Sequence, residues 1–110
     1  MNAEQLKLKI KKLFGEQILF NKEFEDYALK IKNIEENLME WLTLLEEGKF
    51  QPLRPPSQPD NRIFIKRFGS SNRCIVIKIV NGKFKEIHLA DHKYYDIMRK
   101  RLGLKKDNKM

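Results

Sequence analysis

Residues 62–96 read RIFIKRFGSSNRCIVIKIVNGKFKEIHLADHKYYD. Three short apolar-rich runs are separated by two turn signals, and the last run feeds a helix. Gly69, Ser70, Ser71 and Asn72 divide the first two runs, and Asn81 with Gly82 divides the second from the third. Asn-Gly is the strongest short hairpin signal, because a type I′ turn needs positive φ at both central residues. Strands over 63–68, 73–80 and 83–90 are therefore predicted to form a consecutive antiparallel meander.

Turn geometry predicts the register. If Phe68 and Arg73 close the first hairpin, Lys66 faces Ile75 and Phe64 faces Ile77. If Val80 and Lys83 close the second, Ile75 faces His88 and Ile77 faces Glu86. Side chains alternate between the faces of a sheet, so a one-residue slip moves a whole strand's set to the other face. One face then carries Ile63, Ile65, Cys74, Val76, Ile87 and Leu89, with Arg67, Lys78 and Lys85 near its ends. It reads as a wall for helices to cover. The other face carries Phe64, Lys66, Phe68, Arg73, Ile75, Ile77, Glu86 and His88 and is expected to stay uncovered.

Working outward, residues 3–14 place Leu6, Ile10, Leu13 and Phe14 on one helical stripe among lysines, ended by Gly15. Such a helix suits packing or a partner better than a membrane surface, for which the stripe is short. Residues 17–20 read as a brief strand or the start of the next helix. Asn21 is a candidate N-cap for a helix over 22–32 carrying Phe24, Ala28 and Ile31. Asn33 with Glu36 resembles a capping box, which predicts a break before a helix with the stripe Ile34, Leu38, Trp41, Leu42 and Leu45. Gly48 is its natural stop. Pro52, Pro55, Pro56 and Pro59 make residues 51–61 an extended, stiff connection rather than a domain boundary. After the meander, Asp91 can cap a helix over about 92–102 that Gly103 ends. Residues 104–110 read as a tail. The expected fold is one α+β domain: residues 1–16 an added N-terminal helix, 17–50 helical, 51–61 a loop, 62–90 an antiparallel meander, 91–103 a C-terminal helix. The N-terminal helices should pack on one face of the meander.

Charge is uneven along the chain. The 110 residues carry a formal +8. Residues 1–50 hold 8 Lys/Arg and 10 Asp/Glu, whereas residues 51–110 hold 15 and 5. Positive charge concentrated on the meander and tail points to a polyanion, of which nucleic acid is the usual one. The single cysteine, Cys74, lies inside an apolar run and reads as a small buried hydrophobe; no Cys/His set has zinc spacing. No stretch approaches the roughly 18 apolar residues of a membrane span, so a cytoplasmic protein with no membrane partner is expected.

Phosphate-loop, metal and Ser-His-Asp motifs are absent, and no cofactor is expected. A basic, titratable set remains: Lys66, Arg73, His88 and His92, with Tyr94 or Tyr95 just beyond. It suits RNA cleavage. The 2′-hydroxyl must lose a proton, the phosphate gains negative charge, and the 5′-oxygen must gain a proton. His or Tyr can move those protons, and Arg or Lys can hold the phosphate. Each residue also has a plainer reading, as a structural histidine, a packed tyrosine or a solvated strand charge. Arg73, at a strand end on the uncovered face, is expected to be dispensable for folding.

In its order of elements the chain resembles the RelE/HigB/ParE superfamily of toxins. ILFNKEFEDYALKI looks like the family's opening strand and first helix, and NIEENLMEWLTLLEEGKFQP like its second helix and exit loop. RIFIKRF, RCIVIKIVNGKF and KEIHLADH look like its three sheet strands; the RCIV run, the NG turn and the final DH are similar to HigB-type sequences. The resemblance implies a toxin that cuts mRNA in the ribosomal A site and is neutralised by an antitoxin protein. It maps the family's basic sheet residues onto Lys66 and Arg73, and its C-terminal catalytic His or Tyr onto His92 or Tyr95; His88 rests on strand parity instead. Arg62, Arg67, Lys93, Arg99, Lys100 and Arg101 are the expected nucleic-acid contacts. Residues 1–16 and the helix after DH depart from the family's usual bounds. Since ParE-like relatives share the fold and poison gyrase without cutting RNA, a gyrase poison and a non-catalytic basic RNA- or protein-binding module are the alternatives.

Overall fold

A computed structural model of the chain describes residues 2–104. In order, the elements are α1 (Ala3–Phe14), β1 (Leu19–Phe20), α2 (Phe24–Lys30), α3 (Ile34–Glu46), β2 (Asn61–Phe68), β3 (Asn72–Ile79), β4 (Phe84–Asp91) and α4 (His92–Leu102). The fold is α+β, with helices at the N-terminus and a C-terminal helix after the meander. The residues at 17–20 resolve into a strand, which adds a parallel edge to the meander and gives the sheet order β1-β4-β3-β2. Among the described residues, no helix is long and apolar enough to cross a membrane. The predicted tail falls almost wholly on 105–110, outside the described residues.

Two cores form, one on each face of the sheet. Toward α1, α2 and α3, buried Leu6, Ile10, Phe24, Leu38 and Leu42 pack with Cys74, Val76, Ile87 and Leu89. On the opposite face, Tyr95, Met98 and Leu102 of α4 cover Ile63, Ile75, Ile77 and Ala90. The expectation that this second face stays uncovered is therefore corrected. The reason lies in α4, whose apolar positions 95, 98 and 102 form a helical stripe that must be buried somewhere. Burial pushes the Cys74 thiol far above its ordinary value, which fits a small hydrophobe rather than a nucleophile.

The second hairpin has the predicted pairing, with Ile75 opposite His88 and Ile77 opposite Glu86. It arrives there by another route. Gly82 donates to the Ile79 carbonyl (2.9 Å), and of the Asn81-Gly82 pair only Asn81 takes a left-handed φ, of 56°. That turn is not type I′ and is one residue longer. A register irregularity between Ile77 and Lys78 absorbs the extra residue.

The first hairpin is shifted by one residue from the prediction. Phe68 pairs with Asn72, Lys66 with Cys74 and Phe64 with Val76. Asn72 thus joins β3, and the loop shrinks to Gly69, Ser70 and Ser71. Phe64 and Phe68 turn into the helix-side core, Ile63 and Ile65 pack on the α4 side, and Lys66 leaves the face of Arg73 and His88. With both faces covered, either parity of β2 buries apolar residues. The larger helix-side core takes the two phenylalanine rings, each worth about 1.5–3 kcal/mol when buried.

Two caps also differ from expectation. Asn33 sits at the α2–α3 break, but by adopting φ 56° rather than by a side-chain hydrogen bond. Asn21 does not cap α2, which starts later, after Glu23. Its buried amide reaches β4 instead: Nδ2 donates to the Leu89 carbonyl (2.7 Å) and Oδ1 accepts from the Leu89 N–H (2.9 Å). These bonds continue the β1–β4 pairing where the backbone of β1 turns away. Asn21→Ala is expected to lower stability by about 1–3 kcal/mol, because two buried backbone groups lose their partner. Urea unfolding would register this as an earlier midpoint, and an unchanged midpoint would contradict the assignment.

Candidate active site

Strands β3 and β4 present Arg73, Ile75, Glu86, His88 and Ala90 on the α4 side. Asp91 caps α4, its Oδ1 accepting from the Tyr94 N–H at 2.9 Å. The helix therefore starts immediately beyond β4 and folds back across the face. Successive residues leave a helix about 100° apart, so Tyr94 and Tyr95 part company. Tyr95 turns down into the core, only 5% exposed, while Tyr94 leans along β4 toward His88.

His88 links two partners. Its Nε2 lies 2.9 Å from Glu86 Oε1, and its Nδ1 lies 2.8 Å from the Tyr94 hydroxyl. An ionised carboxylate only accepts, so Nε2 carries the proton toward Glu86. In neutral imidazole Nδ1 is then the acceptor, and the Tyr94 O–H donates to it. The hydrogen bond from His88 holds the Glu86 carboxyl below its ordinary value of 4.5, outweighing the opposite pull of partial burial. Burial pushes the Tyr94 phenol above its ordinary 10.0, as does the negative charge of Glu23; Arg101 pulls the other way. A carboxylate, an imidazole and a protonated phenol thus stand in line, with the Arg101 cation acting on both ends.

Arg73 and His92 form a second group near the start of α4. Arg73 is 5% exposed, against the expectation of an open strand end. Its Nη1 donates to the Asn72 carbonyl (2.9 Å) and, at 3.5 Å, to that of Ser70. Nη2 stands 3.4 Å from His92 Nε2, and Cζ lies 5.6 Å from the centre of the Tyr95 ring. Guanidinium can only donate, so His92 Nε2 accepts in this contact. Arg73 is thus a buried cation held by several partners, which corrects the open strand end on which its expected dispensability for folding rested.

Of the other residues singled out in the sequence, Lys66 lies on the opposite face, its Nζ 5.6 Å from the Phe68 ring centre. Arg62 is tied to the carbonyls of Pro59 (3.0 Å) and Asn61 (2.8 Å). Arg99 is held near Asp96 (3.7 Å) and by the Leu104 carbonyl (3.3 Å). Arg67, Lys93, Lys100 and Arg101 are exposed. Sequence reasoning placed Glu86 on the right face without giving it a role, and it favoured Tyr95 over Tyr94. The signal for Tyr94 was the stripe 95, 98, 102: a buried Tyr95 leaves its neighbour for the helix flank.

Stability should depend on pH through Glu86. A carboxyl with a lowered folded-state value stabilises the fold fully above its unfolded value, and that contribution fades as pH falls through the folded value. Against Glu86→Gln, the wild-type advantage in urea midpoint should be steady above about pH 4.5 and shrink below it. A difference that did not change with pH would count against the pairing.

Comparisons with family models, with curated proteins and with solved structures found no match for the chain.

Proposed function

We propose that this chain is the toxin of a toxin–antitoxin pair, acting on the ribosome as an endoribonuclease that cleaves mRNA. The observation that carries the reading is the line from Glu86 through His88 to the Tyr94 hydroxyl, beside Arg101. Structural histidines are commonly satisfied by one carbonyl or carboxylate. Here the imidazole is held between an acid and a phenol, and the phenol is only part-buried. The resemblance in element order and the basic second half of the chain support the choice of RNA.

The chemistry follows from the donors and acceptors. Tyr94 takes the proton of the RNA 2′-hydroxyl as its own proton passes to His88 Nδ1, and the Glu86 carboxylate stabilises the imidazolium. The 2′-oxygen attacks the adjacent phosphorus, forming the 2′,3′-cyclic phosphate and breaking the bond to the 5′-oxygen. Arg101, with Arg73 behind His92, offsets the charge that builds on the phosphate. Exposed His92, once it has taken a second proton from solvent and turned from Arg73, gives that proton to the leaving oxygen and returns to neutral imidazole. Lys66, on the far face, takes no part.

Tyr94→Phe and His88→Gln should each lower turnover by about 10²–10⁴-fold, the usual worth of one positioned proton-transfer group. Binding to ribosomes should change little, since the lost interaction belongs to the transition state. Tyr95→Phe should keep its cleavage rate. Mapping mRNA 5′ ends after induction in cells reads all three. If wild-type protein leaves mRNA intact on ribosomes yet blocks DNA supercoiling by gyrase, the enzyme reading is wrong and a poison takes its place.

Arg73→Ala should cost stability as well as activity. Removing one preorganised charge-stabilising donor is worth on the order of 2–4 kcal/mol in the transition state. Deleting a buried cation with several partners should also lower the melting temperature. A variant that lost activity with an unshifted melting curve would contradict the structural half of this role.

A further inference from the structure

One groove, about 1190 Å³, runs between α1, α2 and α3. Its rims carry Lys9 and Lys12 against Glu35 and Glu36, and Lys9 pairs with Glu35 at 2.5 Å, so its charge selects no partner. A second groove, about 530 Å³, is different in kind. It lies between the α2–α3 junction and the β2–β3 hairpin, on the side of the sheet away from His88.

Three lysines line this second groove, Lys30, Lys32 and Lys66, against one acid, Glu40. Arg67 borders it through β2, but strand alternation sends its side chain toward the face of Arg73. Trp41 and Phe68, each 8% exposed, lie in its wall, whereas Phe50 is 42% exposed. Asn37 and Asn72 add side-chain amides. A volume of this size is within the range of small-molecule sites, roughly 300–1,000 Å³. Cations alone would suit any polyanion. An aromatic ring left exposed among cations suits a partner that brings a flat π face together with phosphate, because a base can stack on it whatever its identity. Duplex bases are already stacked on one another, and an acidic peptide gains nothing special from the ring.

We infer that this groove binds a single-stranded nucleic acid, with an unpaired base on Phe50 and neighbouring phosphates on Lys30, Lys32 and Lys66. The new register is what makes this possible, since it moves Lys66 to the helix side beside Trp41 and Phe68. Arg67 pairs across the hairpin with Arg73, so a strand leaving the groove meets the Arg73 and His92 group around the sheet edge. The inference shares its partner class with the proposed function but rests on different residues, on the other face.

The test is fluorescence anisotropy with a labelled 2′-O-methyl oligouridylate of about ten nucleotides, which fits known single-strand site sizes and cannot be cut at its blocked 2′-oxygen. The DNA oligomer of the same sequence forms a second arm. Phe50→Ala should weaken binding about ten-fold, the scale of one lost base–aromatic stack, and Phe50→Trp should restore it. Lys32→Ala should flatten the dependence of log affinity on log salt by about 0.7, one phosphate's share for a single strand. Both oligomers binding in this pattern supports the inference, and a preference between them names the sugar. His88→Gln should bind like wild type, so loss of cleavage and loss of groove binding are read separately. Wild-type affinity in Phe50→Ala would overturn the inference. So would displacement of the oligomer by an oligoglutamate, or by a duplex, at equal charge concentration.

Discussion

Strand β3 is covered on both sides. From Arg73 to Ile77 every side chain is buried, alternately against the N-terminal helices and against α4. A strand in that position tolerates no solvated charge, yet it carries Arg73. The guanidinium is accommodated by two backbone carbonyls at the hairpin, by the imidazole of His92 and by the face of Tyr95. Removing such a cation from water costs several kcal/mol unless partners replace the lost hydration. The start of α4 supplies part of that replacement, through His92 and Tyr95. Once α4 is seated there, with Asp91 as its cap, Tyr94 falls beside His88. The pairing of imidazole and phenol is thus downstream of how one buried charge is satisfied.

Much of this was legible in the residues. Helices with clear stripes and stops, α1, α3 and α4, lie where periodicity and Gly15, Gly48 and Gly103 put them. The meander follows from runs of Ile, Val and Phe between turn residues. What escaped was parity in β2. Sequence patterning fixes a strand's face when one side is wet and the other dry. Phe64 and Phe68 on one side and Ile63 and Ile65 on the other satisfy two dry sides equally well. The deciding quantity, which core has room for the rings, is a property of tertiary packing.

The site shows the same boundary. His88 opposite Ile75 was readable because the second hairpin's longer turn and its register irregularity cancel. The choice between adjacent tyrosines needed the direction in which α4 crosses the sheet. No local pattern encodes that direction. Asn21 is a sharper case: an Asn before a helix reads as a cap, but here the same amide geometry completes a strand pairing far away in the chain. Side-chain amides mimic backbone groups, so sequence position alone does not say which backbone they serve.

The loop at 51–60 has a bearing on how copies of the chain behave toward one another. Leu53 exchanges two backbone hydrogen bonds with Ile63 (2.8 and 3.0 Å), so the outer edge of β2 is partly occupied from within the chain. Prolines on both sides of Leu53 have no N–H to extend that ladder. Ser57 donates its N–H to the Leu102 carbonyl at 3.2 Å, which ties the same loop to the end of α4. The opposite edge of the sheet is β1, only two residues long. One border of the sheet is therefore short and the other is bridged at Ile63 from within the chain, two features that limit the addition of a foreign strand.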